Sequence, residues 1–165
     1  MPGVGYSKIR NLDRGSVNTV DILIPHLQRG FDYDLWANLR WLPWIEAMPD
    51  PAKAREIMIH IARAQHIWLS RFDRVALDFN SESPLEETFQ AHAETWKSTV
   101  ADIPLDKLLH WTRLDGSPRK GTMEDVARHV INHGTYHRGH LRGLADAAGF
   151  EAFEDTDFAR YFDSA

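Results

Sequence analysis

The residues of this chain best suited to chemistry are histidines. Nine occur in all, and four of them fall between His129 and His140. His129, His133 and His137 are spaced four apart, so on a helix their rings stack along one face. An imidazole turned into a protein interior needs a polar partner. A metal ion is one partner that takes two or three imidazoles at once, through the neutral ring nitrogen.

Helical phase sorts this row. On the last helix the apolar stripe is formed by Val126, Val130, Leu141, Leu144 and Ala148. His133 and His137 fall within about 20° of its centre, whereas His129 and His140 lie roughly 40–60° to one side. Two imidazoles at i, i+4 therefore point at the core, a favoured ligand spacing in helical bundles. A third ligand has to come from another helix. In the segment after Pro51, His60 lies roughly 60° from the apolar centre and His66 about 180° from it. His60 is the choice, with His26, His92 and His110 as less determined alternatives. A single inward histidine is ordinarily a hydrogen-bonded core residue; two at i, i+4 with a third across the bundle move the balance toward metal. His129 reads as a supporting residue, and His66, His92 and His110 as ordinary surface or loop positions.

Other motifs fit less well. His133-Gly134-Thr135-Tyr136-His137 has the two histidines of a zinc-protease helix, but Gly134 stands where the catalytic Glu belongs. Neither histidine has the Glu three residues earlier that a di-iron bundle uses. Glycine-rich phosphate loops, nucleophile elbows and dinucleotide fingerprints are absent. There is no cysteine, hence no thiolate ligand, disulfide or cysteine nucleophile. An all-imidazole set suits zinc, nickel, iron or copper; zinc and nickel lead, with iron after them.

The elements that must position these residues are helices. A three-to-four spacing of Leu23, Leu27, Phe31, Leu35, Leu39, Leu42 and Ile45 predicts a helix from about Val20 to Met48, with Pro25, Gly30 and Pro43 as interruptions. Asp50-Pro51 opens a second, to about Leu77, with its stripe on Ile57, Ile61, Ala64, Trp68, Phe72 and Val75. Ser83-Pro84-Leu85-Glu86 reads as a capping box starting a third helix to about Ala101. Residues 102–121 form a long connection with a small hairpin turning at Asp115-Gly116-Ser117-Pro118. Thr122 to Asp125 caps a fourth helix that reaches Ala148 and stops at Gly149. The tail from Phe150 alternates acidic and aromatic residues and is expected to dock on the body. Together these give an all-α four-helix bundle, with residues 1–19 a loose leader and 20–165 one domain.

Composition agrees with a folded domain: 165 residues, 43% hydrophobic, with six Trp and eight Phe. The net charge of −5, the pI of about 6.0 and the scattered basic residues argue against a nucleic-acid binder. No apolar run is long enough to span a membrane. Together with the missing cysteines this leads to an expected cytoplasmic location.

Three stretches resemble one known family. Asn132-His133-Gly134-Thr135-Tyr136-His137-Arg138-Gly139-His140 is similar to the signature of the DinB (damage-inducible) family, Asn-His, three residues, then His-Arg-Gly. Tyr33 to Asn38 resembles its first helix; His60-Ile61 with Ile67 to Phe72 resembles its second. The likeness covers about residues 25 to 162. It implies a four-helix bundle, often dimeric, holding a divalent metal on three histidines that map to His60, His133 and His137. Tyr136 and His140 depart from the commonest pattern, where His and Gln are frequent. The resemblance also implies thiol-dependent chemistry in some relatives, with low-molecular-weight thiols as partners.

Three imidazoles leave a coordination position open for water or substrate, the layout of a catalytic zinc site. The expected function is a metal-dependent hydrolase or thiol transferase acting on a small molecule, with metal-bound water as the reactive group. Arg138 and Asn38 are candidates to orient substrate, although Arg138 serves equally well in a structural ion pair. The competing expectations are a non-catalytic metal-binding sensor or stress-response module, and a bundle whose histidines are only structural.

Overall fold

A computed structural model describes residues 19–113, 115–151 and 153–164. The expected leader, apart from residue 19, lies outside them. Five helices and one hairpin follow in order: α1 (Thr19–Ala47), α2 (Pro51–Ser70), α3 (Leu85–Asp102), β1 (Leu108–Thr112), β2 (Pro118–Thr122), α4 (Met123–Ala147) and α5 (Phe158–Ser164). The first four helices form the all-α bundle. Around it, α1 and α2 stand diagonally opposite, each flanked by α3 and α4.

Helix α1 runs unbroken through Pro25 and Pro43. Both prolines lie on the exposed side of the helix, where water is available to the carbonyl that loses its partner. Helix α2 is shorter than its periodicity suggests. It ends at Ser70, and Asp73 takes a left-handed φ of 56°, which turns the chain away. Phe72 and Val75 still pack on the core beyond that turn. At the start of α2, Asp50 makes no side-chain capping bond, although Pro51 occupies the first helical turn as expected. Nor does Ser83 cap α3. Its N-cap is Pro84, with Glu86 and Glu87 placed favourably toward the positive end of the helix dipole.

The hairpin and the start of α4 are built as one piece. Leu108 pairs with Thr122 and Thr112 with Pro118 in an antiparallel register. Gly116 supplies the φ of 78° that closes the turn, and Asp115 Oδ1 accepts from the Ser117 amide and hydroxyl. Thr122 then forms a reciprocal capping box with Asp125, and the Met123 and Glu124 amides donate to the Lys107 and Leu105 carbonyls. At the other end, Gly149 (φ 66°) closes α4 with bonds from Gly149 N to Asp146 O and Phe150 N to Ala145 O, a Schellman arrangement.

The tail does dock, and it contains a helix that the sequence reading did not foresee. Trp41 Nε1 and the Tyr33 hydroxyl donate to Thr156, while Phe153 stacks on Trp41. Helix α5 brings Phe158 and Tyr161 against Tyr33.

Two apolar clusters fill the bundle. One gathers Phe31, Leu69, Phe72, Trp96, Val100, Met123 and Val130; the other gathers Trp41, Ile45, Met58, Ile61, Phe89, Leu141 and Ala145. On each helix the residues between the two sets include buried polar ones: Asp34 and Asn38, Gln65, His92, and Arg138. No described helix is long and apolar enough to cross a membrane.

Candidate metal centre

Helices α2 and α4 meet along a seam that carries His60, His133 and His137. Each offers one nitrogen, and these three atoms lie within 4.8 Å of one another. His60 Nε2 and His133 Nε2 are 3.2 Å apart, and the ring centroids are separated by 4.4–5.0 Å. Nitrogens about 2.0–2.1 Å from a shared tetrahedral metal sit roughly 3.3–3.4 Å from each other. The first pair already has that separation. With all three nitrogens within 4.8 Å of one another, no pair needs to close by more than about 1.5 Å, a movement within reach of an exposed side chain such as His60. The three-histidine group can hold a metal ion.

The site is nearer the surface than helical phase suggested. His133 and His137 are half-buried and His60 is exposed. The buried line of α4 runs through Val130, Gly134, Arg138 and Leu141, which puts the histidines on its flank rather than at its centre. The buried line of α2 runs through Ala54, Met58, Ile61, Gln65 and Leu69, which moves His60 further out. Both flanks turn toward the same seam, so the three rings still converge.

The electrostatics favour lone pairs over protons. Burial pushes the His133 imidazole down to about 4, helped by the neighbouring His137, His60 and His129. His137 is lowered as well, by burial first and then by His60 and His140. Neutral imidazole is the form that binds metal. His129 and His140 extend the row without joining the triad. The His129 ring lies 5.8 Å from that of His133 and 5.8 Å from Trp68; His140 lies 5.3 Å from His137.

Arg138 and Asn38 occupy the buried layer behind the site. Arg138 Nη1 donates to Asp34 Oδ1 (2.6 Å) and to Asn38 Oδ1 (2.7 Å). Asn38 and Gln65 donate to Asp34 Oδ2. This is the structural ion pair that the sequence left open, enlarged to a four-residue network joining α1, α2 and α4. Gly134 belongs to it, because a Cβ there would collide with Asp34 Oδ1 and crowd Arg138. Gln65 escaped notice in the sequence, while Asp34 entered only within the Tyr33–Asn38 stretch and Gly134 only as the residue standing where a zinc protease has Glu. The available signal was the i, i+4 pair Asp34 and Asn38 on an otherwise apolar face.

The other histidines separate cleanly. His26 and His110 are exposed. His92, expected at the surface, is instead buried on α3, and its Nε2 lies 3.3 Å from His66 Nδ1. His66 Nε2 faces the Ala76 carbonyl at 2.9 Å, so His66 is bonded at both nitrogens rather than turned freely to solvent.

Comparison with known proteins places the chain in a family. The sequence profile of the DinB family matches residues 26–165. The chain belongs to the DinB family. Protein DinB of Bacillus subtilis (strain 168) is 24% identical over 159 residues, covering 79% of this chain and 90% of that protein. No solved structure matches the chain. Family membership and the convergence of three histidines from two helices together fit a metal-binding protein.

Proposed function

We propose that this DinB-family protein is a divalent-metal-dependent enzyme, a hydrolase or thiol transferase, whose metal is held by His60, His133 and His137. The observation that carries the reading is the approach of three imidazole nitrogens, from α2 and α4, to within 4.8 Å of one another. A divalent ion there supplies Lewis acidity, lowering the pKa of a water or thiol to near neutrality. The chain itself supplies the neutral donors and a rigid seam. His133 and His137 are fixed one turn apart on α4, and the buried Arg138–Asp34 pair just behind them locks α4 against α1. With three protein ligands among the described residues, a bound metal would keep a further coordination position for substrate. The substrate class is a small molecule, with low-molecular-weight thiols foremost, and zinc or nickel is the metal of choice. The protein acts in the cytoplasm as a homodimer, away from nucleic acid and membranes.

The test is elemental analysis of protein purified without a histidine tag, followed by reconstitution. About one metal per chain is expected, with binding lost in His133→Ala. No metal uptake by the parent overturns the reading. Screening thiols and esters with the loaded protein then examines catalysis, which fails if His60→Ala turns over substrate as fast as the parent. Light scattering examines the dimer.

A second reading, a metal-binding sensor or stress-response module without turnover, draws support from Arg138 and Asn38. Both are committed to the buried network, so neither is free to orient a substrate at the histidines.

A further inference from the structure

Beside the histidine triad, α2, the hairpin and the first turns of α4 enclose a groove of about 590 Å³. That volume lies in the range of small-molecule sites, roughly 300–1,000 Å³. Its apolar wall is Trp68 and Trp111, whose rings meet edge to face at 5.1 Å. Its charge is one-sided. Arg71, Arg113, Arg119 and Lys120 line it, against a single carboxylate, Asp125. That carboxylate is already occupied by the Thr122 amide and hydroxyl. Among the described residues none of the four cations reaches a carboxylate at ion-pair distance. Arg113 acts on Asp115 only at longer range, and Arg71 lies over the Trp68 ring at 4.2 Å. In a chain of net charge −5, four cations without ion-pair partners around two indoles are out of keeping with the average surface.

The groove is also continuous with the histidine row. Ala64 lies four residues after His60 and four before Trp68; His129 lies four before His133 and four after Asp125. Both line the groove. Each four-residue step is about 6 Å along a helix, so Trp68 sits about 12 Å from His60. Ala64, with a side chain of one carbon, is the α2 residue that separates them at this spacing.

We propose that this groove binds the body of an anionic small molecule, a carboxylate or phosphate ester with an apolar or aromatic portion. Its acidic group lies on Arg113, Arg119 and Lys120, its apolar portion lies against Trp68 and Trp111, and its reactive end passes Ala64 and His129 to the three histidines. The last step rests on the metal reading given above; the binding of the anion does not. Arginine and lysine here set specificity for charge, while the indoles supply most of the buried area.

The test separates the two. Metal-free protein is titrated by calorimetry with 2-naphthoate and with its neutral analogue 2-naphthamide. The carboxylate should bind at least tenfold tighter, and that preference should vanish in Arg113→Gln/Arg119→Gln/Lys120→Gln, whose altered side chains are all exposed. Equal affinities, or an unchanged preference in the triple variant, overturn the proposal. Cobalt-loaded protein is then titrated with 6-mercaptohexanoate and 6-mercaptohexanol, reading the thiolate-to-cobalt absorption band. A tenfold advantage for the carboxylate, abolished by the triple variant or by Ala64→Phe, establishes the continuity; equal affinities refute it. If the protein takes up no cobalt, the metal reading fails while the naphthoate titration still decides the groove.

Discussion

At the scale of single residues, α4 assigns different work to neighbouring positions. His133 and His137 supply lone pairs to the seam, while Gly134 and Arg138, each one residue further on, face the interior. Changes one residue or one turn apart should therefore have unlike effects. His133→Ala should weaken metal binding at least tenfold, whereas His129→Ala, outside the triad, should leave it within about threefold; competition with a chromophoric chelator measures both. Gly134→Ala should destabilise the fold, since its Cβ meets the buried Asp34 carboxylate. Overpacking of this kind costs about 1–3 kcal/mol, to be read from the urea midpoint at an unchanged slope. A destabilisation below about 0.5 kcal/mol would mean that α1 can retreat from α4 more easily than the close approach suggests.

At the scale of elements, the junctions show what local sequence determines and what it leaves to packing. The start of α4 was legible because its signal is chemical. Thr122 with Asp125 three residues later forms the reciprocal cap that the spacing predicts, and Thr122→Ala should cost about 1 kcal/mol in thermal or urea unfolding. Ser83 and Asp50 carry the same type of signal yet make no capping bond; Pro84 and Pro51 dominate the backbone there. Helix α2 was extended too far because Phe72 and Val75 keep the apolar period beyond Ser70. A period reports which residues are buried, not whether the chain between them is helical. The junction of α2 with α3 holds a feature that no period reveals, the His66–His92 pair. Burial, aided by His66, pushes His92 down to about 4 from its ordinary 6.5, and its Nδ1 has no partner among the described residues. The unfolded chain therefore binds this proton more readily than the folded one between these two values. Its contribution to stability is complete above pH 6.5 and is lost as pH falls toward 4, with a slope of at most about 1.4 kcal/mol per pH unit. Urea titrations of metal-free protein at pH 7, 6 and 5 should show His92→Phe with a shallower decline than the parent; parallel declines would remove His92 as the cause.

At the scale of the whole molecule, the polar layer between the two apolar clusters explains both what the sequence revealed and where it misled. Apolar phase placed His133 and His137 at the core because it gave no weight to Gly134 and Arg138, which are buried without being apolar. On α2 it overlooked Gln65 for the same reason and was drawn toward Trp68, which lines the groove. Both corrections turn the histidines outward, toward the same seam, so the three rings still converge while their depth changes. The layer joins three helices through Asp34, which accepts from Arg138, Asn38 and Gln65. A slip of one helix by a residue would break these bonds, whereas apolar contacts can be exchanged for others; the network thus favours the register that brings His60 opposite His133. Its energetic value need not be large. Arg138→Met alone strands the Asp34 carboxylate in the interior and should cost about 3–5 kcal/mol, but Asp34→Leu with Arg138→Met removes both charges and should recover more than half of that loss. The decisive comparison is metal affinity in the double variant. If register is what the layer supplies, the recovered fold should bind metal at least tenfold more weakly than the parent, even though none of the three histidines has been touched. Parent-like affinity in a stable double variant would instead show that apolar packing of α2 against α4 is sufficient to align the three histidines.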